Sequence, residues 1–109
     1  MKNFVQTGAS LQTTAPAGGV VSGNGYLIGS RFGVAQVSAA AGAIFEHANE
    51  GVFSLPKAAQ AMAEGVKLYW DDTAKVVTTT ATSNTLIGFQ AGVGTVASGT
   101  ATVDVLLKI

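Results

Sequence analysis

The stretch Gly-Val-Lys-Leu-Tyr-Trp-Asp-Asp-Thr-Ala-Lys-Val-Val-Thr-Thr-Thr, residues 65–80, decides the fold class of this chain. Its first half has the two-residue period of a strand, so that one face carries Val66, Leu68 and Trp70. Residues 71–74 are turn formers, and β-branched residues follow them. The stretch therefore predicts a β-hairpin with Trp70 in the core and Tyr69 on the opposite, outward face.

Further strands are predicted on both sides of this hairpin. Over residues 102–109 every second residue is apolar, namely Val103, Val105, Leu107 and Ile109. The residues between them are polar except Leu106, which predicts a half-buried final strand. Residues 26–28 and 32–37 are short β-prone runs separated by a glycine-containing turn, which predicts a second hairpin. Residues 43–53 form another β-prone region, in which Gly51 is predicted to mark a bulge.

One segment carries helix signals instead. Leu55 and Pro56 precede an alanine-rich run that ends at Gly65. Proline suits a first helical turn, alanine is the best helix former, and glycine suits a left-handed cap. We therefore expect one helix of about two turns near residues 56–64.

Many short strands with regular turns and one short helix predict an all-β (mainly β) fold, a small barrel or sandwich. The chain of 109 residues has the length of one ordinary domain. We expect a single domain over residues 1–109. Residues 1–10 are either an extended N-terminal arm or the first strand of the domain's own sheet.

Charged side chains are scarce in this sequence. They make up 11% of the residues, and six basic residues balance six acidic ones, whereas roughly 25% is usual in soluble domains. A surface of this kind repels its own copies weakly and is easily buried against a partner. Nucleic-acid binding needs clustered Lys and Arg, and no two basic residues are adjacent here. The composition favours a subunit of an assembly and disfavours a nucleic-acid partner.

The sequence also bears on the cellular compartment in which the chain is made and on whether it crosses a membrane. The chain has no cysteine, which excludes disulfides and thiolate metal sites. After Met1 and Lys2, only two apolar residues, Phe4 and Val5, precede Gln6, too few for a secretory leader. No window approaches the roughly 18 apolar residues of a membrane span. We expect synthesis in the cytoplasm and no membrane partner.

No pattern for catalysis or cofactor binding is found. An ATP-binding phosphate loop ends in Gly-Lys-Ser/Thr, and the chain has no Gly-Lys pair. Residues 23–25, Gly-Asn-Gly, are interpreted as a turn because no long helix follows them. Asp71 and Asp72 are expected to cap the hairpin turn rather than to bind calcium. We predict no cofactor, no metal, no catalytic residue and no enzymatic activity.

The one histidine lies in a histidine–carboxylate cluster, Glu46-His47 with Glu50. On a strand Glu46 and His47 point to opposite faces, and a third ligand is missing. We therefore expect a solvated or subunit-facing strand edge instead of a metal site.

Four segments resemble, in the same order, a family of phage and prophage proteins: TAPAGGV (14–20), EGVFSLPK (50–57), GVKLYWD (65–71) and KVVTTT (75–80). Its members are labelled capsid cement (decoration) proteins, and some are labelled RecA/RadA-type phage recombinases. The resemblance runs almost end to end. We reject the recombinase label, because that ATPase class needs the missing Gly-Lys loop and several crossover helices.

The resemblance implies a virion structural protein that binds and stabilises the expanded phage head. Its partner would be the major capsid protein and its location the head exterior, with no catalytic residues. Analogy with decoration proteins favours a homo-oligomer, a trimer in particular. Two alternatives stay open: another phage structural component, such as a tail, fibre or receptor-binding protein, and a small hydrolase that uses His47.

The candidate capsid or subunit contacts are Lys2, Phe4, Val5 and Tyr69. Residues 2–7 form a short β-prone strip, and residues 8–10 offer a hinge after it. Such a strip is suited to adding a strand to an exposed sheet edge of the capsid protein. Tyr69 is large enough to anchor a partner from the outward face of the hairpin.

Overall fold

The computed structural model describes residues 10–107, and these residues form two sheets. In chain order the strands are β1 (Ser10–Thr14), β2 (Gly25–Ile28), β3 (Arg31–Ala35), β4 (Ile44–Ala48), β5 (Gly51–Pro56), β6 (Lys67–Asp71), β7 (Val76–Thr78), β8 (Thr85–Gln90) and β9 (Thr102–Leu107). One sheet has the strand order β1-β4-β3-β2, the other β5-β9-β8-β6-β7, and neighbouring strands are antiparallel. The predicted all-β class is confirmed.

The five-stranded sheet curls toward a barrel. Its edge strand β7 meets the chain just after β5 through a parallel bridge between Lys57 and Val77. The amide of Ala58 donates to the Val77 carbonyl at 2.8 Å. The four-stranded sheet adds Phe32 and Val34 to the core that the curled sheet encloses. The architecture therefore combines the two predicted alternatives, barrel and sandwich.

Trp70 joins the two sheets. Its side chain is 2% exposed, and its ring centroid lies 4.8 Å from that of Phe32, with the rings tilted by 47°. Leu68 is fully buried beside it, and Val66, just before β6, is half-buried against the same core. The predicted parity of this strand is confirmed.

Gly25 makes the approach of the two rings possible. A β-carbon at this position would lie 2.5 Å from Cζ of Phe32 and 3.4 Å from Cη2 of Trp70. Both rings are buried, so neither has free space to move into. Glycine is therefore required here by packing, at the first residue of β2.

The predicted hairpins and the last strand are also found. β6 pairs with β7, and β2 with β3. In β9 the buried residues are Val103, Val105 and Leu107, while Leu106 is 37% exposed. Ile109 lies outside the described residues. The apparent exception in the alternating pattern, Leu106, is an outward-facing apolar residue.

The predicted helix near residues 56–64 is wrong, because the described residues contain no α-helix. Pro56 ends β5, and Met62 pairs with Val96 through amide–carbonyl bonds of 2.9 and 2.8 Å. A helix of two turns is marginal by itself, whereas the extended chain buries Leu55 and Met62 completely. Gly65 does adopt a positive φ of 76°, but it ends a turn that leads into β6.

Residues 43–53 divide between the two sheets. β4 belongs to the four-stranded sheet and β5 to the five-stranded one. Gly51 pairs in regular register with Leu107, so the predicted bulge at Gly51 is wrong. The register shift lies instead between Leu68 and Tyr69, where β6 pairs with β8.

Replacing Trp70 with alanine is expected to lower the free energy of unfolding by about 3–5 kcal/mol, because the truncation leaves a cavity between the sheets. Urea unfolding followed by circular dichroism measures this loss. Tyr69→Ala, on the outer face of the same strand, is the control and is expected to lose less. A Trp70→Ala protein as stable as the parent would contradict the assigned core.

Candidate interaction surface

The outer face of the five-stranded sheet carries a row of apolar side chains. Cross-strand partners point to the same face of a sheet, and the register runs from Val52 to Leu106, then to Phe89 and Lys67. Val52 is 58% exposed and Leu106 37%, and Phe89 is half-buried. Apolar side chains thus remain in contact with solvent on the face opposite the core.

Tyr69 extends this row along β6. It is half-buried and pairs with Leu86 on one side and Thr78 on the other. The regular alternation of β6 keeps Tyr69 on the outer face and Trp70 in the core, while the extra residue at the register shift, Ile87, lies on β8. We call the set Val52, Tyr69, Leu86, Phe89 and Leu106 the outer-face strip.

The other predicted contacts, Lys2, Phe4 and Val5, lie outside the described residues. The structure brings Tyr69 together instead with residues that the sequence interpretation did not select. The sequence did contain a sign of Leu106's position, because it is an apolar residue on the otherwise polar, outward face of β9. Leu86 and Phe89 follow the threonine-rich stretch, where no clear alternation marked a strand.

The histidine–carboxylate cluster does not assemble. His47 is fully buried in β4, whereas Glu46 points to the other face and accepts a hydrogen bond from Ser10 Oγ at 2.8 Å. Among residues 10–107 no group of three His, Asp or Glu side chains is close enough to hold a metal ion. The prediction that Glu46 and His47 point to opposite faces of the strand is confirmed. The prediction that they lie on a solvated or subunit-facing strand edge is wrong, because β4 lies inside the sheet between β1 and β3.

A glycine on the neighbouring strand makes room for His47. A β-carbon on Gly33 would lie 2.4 Å from the Ala48 carbonyl oxygen and 2.8 Å from Nε2 of His47. The imidazole therefore lies over Gly33 and reaches Tyr26, to whose carbonyl Nε2 donates at 3.1 Å. That contact assigns the proton of the neutral ring to Nε2, since a carbonyl only accepts.

Burial lowers the pKa of His47 below its usual 6.5, and the positive charge of Arg31 acts in the same direction. Hydrogen bonds with Tyr26 and Gly33 oppose this shift without reversing it. His47 is therefore neutral at neutral pH in the folded protein. Its role is to fill the space above Gly33 in the four-stranded sheet.

The paired aspartates cap the hairpin turn, as predicted. Asp71 accepts hydrogen bonds from the amides of Thr73 and Ala74. Asp72 accepts from Nε1 of Trp70 at 3.1 Å and from Nζ of Lys75 at 2.9 Å. Partial burial alone would raise the pKa of Asp72, but these two hydrogen bonds and the charge of Lys75 lower it below its usual value.

The Gly-Asn-Gly segment at residues 23–25 is also a turn, as predicted. The Asn24 amide donates to the Val21 carbonyl at 3.1 Å, and β2 follows directly. A phosphate loop would instead open a helix.

Acidification is expected to destabilise the protein through His47. The unfolded chain takes up a proton near pH 6.5, whereas the folded chain stays neutral until a lower pH. Stability is then complete above pH 6.5 and falls as the pH decreases below it. Melting temperatures at about pH 7.5 and about pH 5.5 are expected to differ less in His47→Gln than in the parent. Equal differences in the two proteins would contradict this assignment.

Within residues 10–107 the structure contains no helix with the length and hydropathy of a membrane span. Comparison with protein families gives a match to the model of the phage cement protein family over residues 5–109, essentially the whole chain. No curated protein and no solved structure matches. The family found by this match is a capsid structural family and is the one that the sequence motifs resemble. The chain therefore belongs to the phage cement protein family.

Proposed function

We propose that this chain is a cement subunit that binds the expanded phage head from outside and stabilises it. The observation that carries the proposal is the family match over residues 5–109. The outer-face strip supports it, because exposed apolar patches mark sites where a protein meets a partner. The major capsid protein is the proposed partner.

The mechanism needs no chemical step. A subunit that binds the expanded lattice but not the precursor shell stabilises the expanded state by mass action. Many such contacts act together around a closed shell, so a modest affinity per subunit is sufficient.

The outer-face strip is the proposed capsid contact. Tyr69 and Phe89 supply aromatic area, which is enriched at the energetic centres of protein interfaces. Val52 and Leu106 lie on paired strands and are both open to solvent. The strip lies on the curled sheet, whose opposite face packs around Trp70 in the core.

A homo-oligomer, with a trimer favoured, is part of the proposal. The chain has no formal net charge, so its copies repel one another weakly. Edge strands β1 and β2 of the four-stranded sheet carry no charged residue. Charged residues commonly protect sheet edges from pairing, so these edges are suited to contact a second copy.

Two alternative functions were open from the sequence. A small hydrolase that uses His47 is disfavoured, because this side chain is completely buried and lines neither the pocket between Leu11 and Leu107 nor the one beside Trp70. A tail, fibre or receptor-binding component is disfavoured by the cement family match.

The strip can be tested with two matched valine substitutions. Val52→Lys, within the strip, is expected to weaken binding to expanded shells by at least about tenfold, which corresponds to about 1.4 kcal/mol. Val37→Lys is the control, because Val37 is 50% exposed but lies outside the strip, and Val52 is 58% exposed. Co-sedimentation with purified shells measures both. Equal binding by the two variants would contradict this assignment of the contact.

Precursor shells are the second control. The unsubstituted protein is expected to bind expanded shells and to leave precursor shells bare. Equal occupancy of both would remove the stabilising mechanism, even if the strip proved to be the contact.

The N-terminal strip is a second proposed contact with the capsid, through Lys2, Phe4 and Val5. Deleting residues 1–6 is expected to leave the isolated protein folded and to abolish capsid binding. Circular dichroism measures whether the truncated protein is folded, and co-sedimentation with expanded shells measures its capsid binding. A truncated protein that unfolds, or one that decorates expanded shells normally, would exclude the arm.

A further inference from the structure

The connection between β8 and β9, residues 91–101, is fastened to the rest of the domain at several points. At its middle, Val96 pairs with Met62 through two backbone hydrogen bonds. Further along, Nζ of the buried Lys57 donates to the Ala97 carbonyl at 3.1 Å. A buried ammonium group is costly unless its hydrogen bonds are made, so this lysine holds the connection to the strand that precedes it.

Val93 projects from this connection into solvent, and its side chain is 98% exposed. The buried side chain of Gln90 bonds the peptide groups on both sides of it. Oε1 of Gln90 accepts from the Gly92 amide, and Nε2 donates to the Gly94 carbonyl at 2.8 Å. Oε1 of Glu64 accepts from the Gly94 amide at 3.0 Å. Single exposed apolar residues are common on protein surfaces, but here several hydrogen bonds fix the backbone that presents the side chain. Such preorganisation lowers the entropy cost of binding.

The composition of the connection indicates what kind of surface would receive Val93. Residues 91–101 consist only of Ala, Gly, Val, Thr and Ser, so the connection has no charged side chain of its own. A charged group buried against it would lose its hydration without gaining an ionic partner. The matching surface is therefore a small apolar socket without charged side chains.

The capsid protein is a better candidate for this socket than a second copy of the chain. Arg31 and Glu50 line one surface pocket of the chain, and Lys75 lines another, so both of these pockets bring charge against the connection. The outer-face strip, in contrast, leads directly to it, because Phe89 of the strip is the last residue but one of β8. Continuity with the proposed capsid contact favours the same partner for Val93.

We infer that Val93 is an anchor that inserts into an uncharged apolar socket of the capsid protein, next to the area covered by the outer-face strip. The inference rests on the proposed function, because it requires a capsid partner. It extends the contact from the outer face of the curled sheet to the end of that sheet where β8 leads into β9.

Substitutions at Val93 test this inference without disturbing the core, because the side chain is almost fully exposed. In the full-length protein, Val93→Lys is expected to weaken binding to purified expanded shells by at least about tenfold. Val93→Leu keeps an apolar side chain and is expected to bind as tightly as the parent. Val21→Lys is the control with the same change of charge, because Val21 is 57% exposed in the connection between β1 and β2. Co-sedimentation over a range of protein concentrations measures the dissociation constants.

Equal binding by Val93→Lys and Val21→Lys would overturn the inference, and the proposed function would stand if the parent binds the shells. A parent protein that binds no expanded shells would overturn the proposed function and the inference with it. Size-exclusion chromatography with light scattering measures the association of free subunits. An association state that Val93→Lys changes and Val21→Lys does not would also overturn the inference, by placing Val93 on a second copy.

Discussion

The contact between Trp70 and Phe32 is the interaction on which the rest of this structure depends. It joins a four-stranded and a five-stranded sheet at a ring separation of 4.8 Å, and Gly25 is the residue that permits this approach. The indole also bonds Asp72, which ties the core to the turn between β6 and β7. Without this contact each sheet would expose an apolar face.

Anchoring one face of β6 leaves the other face free for a partner. Trp70 and Leu68 are buried, and Tyr69 between them faces outward with the outer-face strip. A chain with 11% charged residues has few charged side chains to surround such a strip. Core packing and surface composition thus lead to the same conclusion, that the chain functions in an assembly, and its family is that of phage cement proteins.

The elements that alternation predicted are those in which one face is buried and the other is polar. The β6–β7 hairpin and β9 follow this rule, and so the sequence predicted Trp70, Leu68 and Tyr69 on the correct faces. The alanine-rich segment was assigned to a helix because intrinsic propensity cannot reveal the long-range pairing of Met62 with Val96. The burial of His47 could not be predicted either, since it depends on the space left by Gly33 on another strand.

The central claim is that this protein coats the outside of an expanded phage head. The most direct measurement is a cryo-electron microscopy reconstruction of purified virions and of precursor shells from the phage that encodes it. The account predicts density for the two-sheet fold on the outer surface of the expanded head, with the outer-face strip turned toward the capsid protein, and none on the precursor shell. Density confined to the tail, or a head surface without this fold, would contradict it.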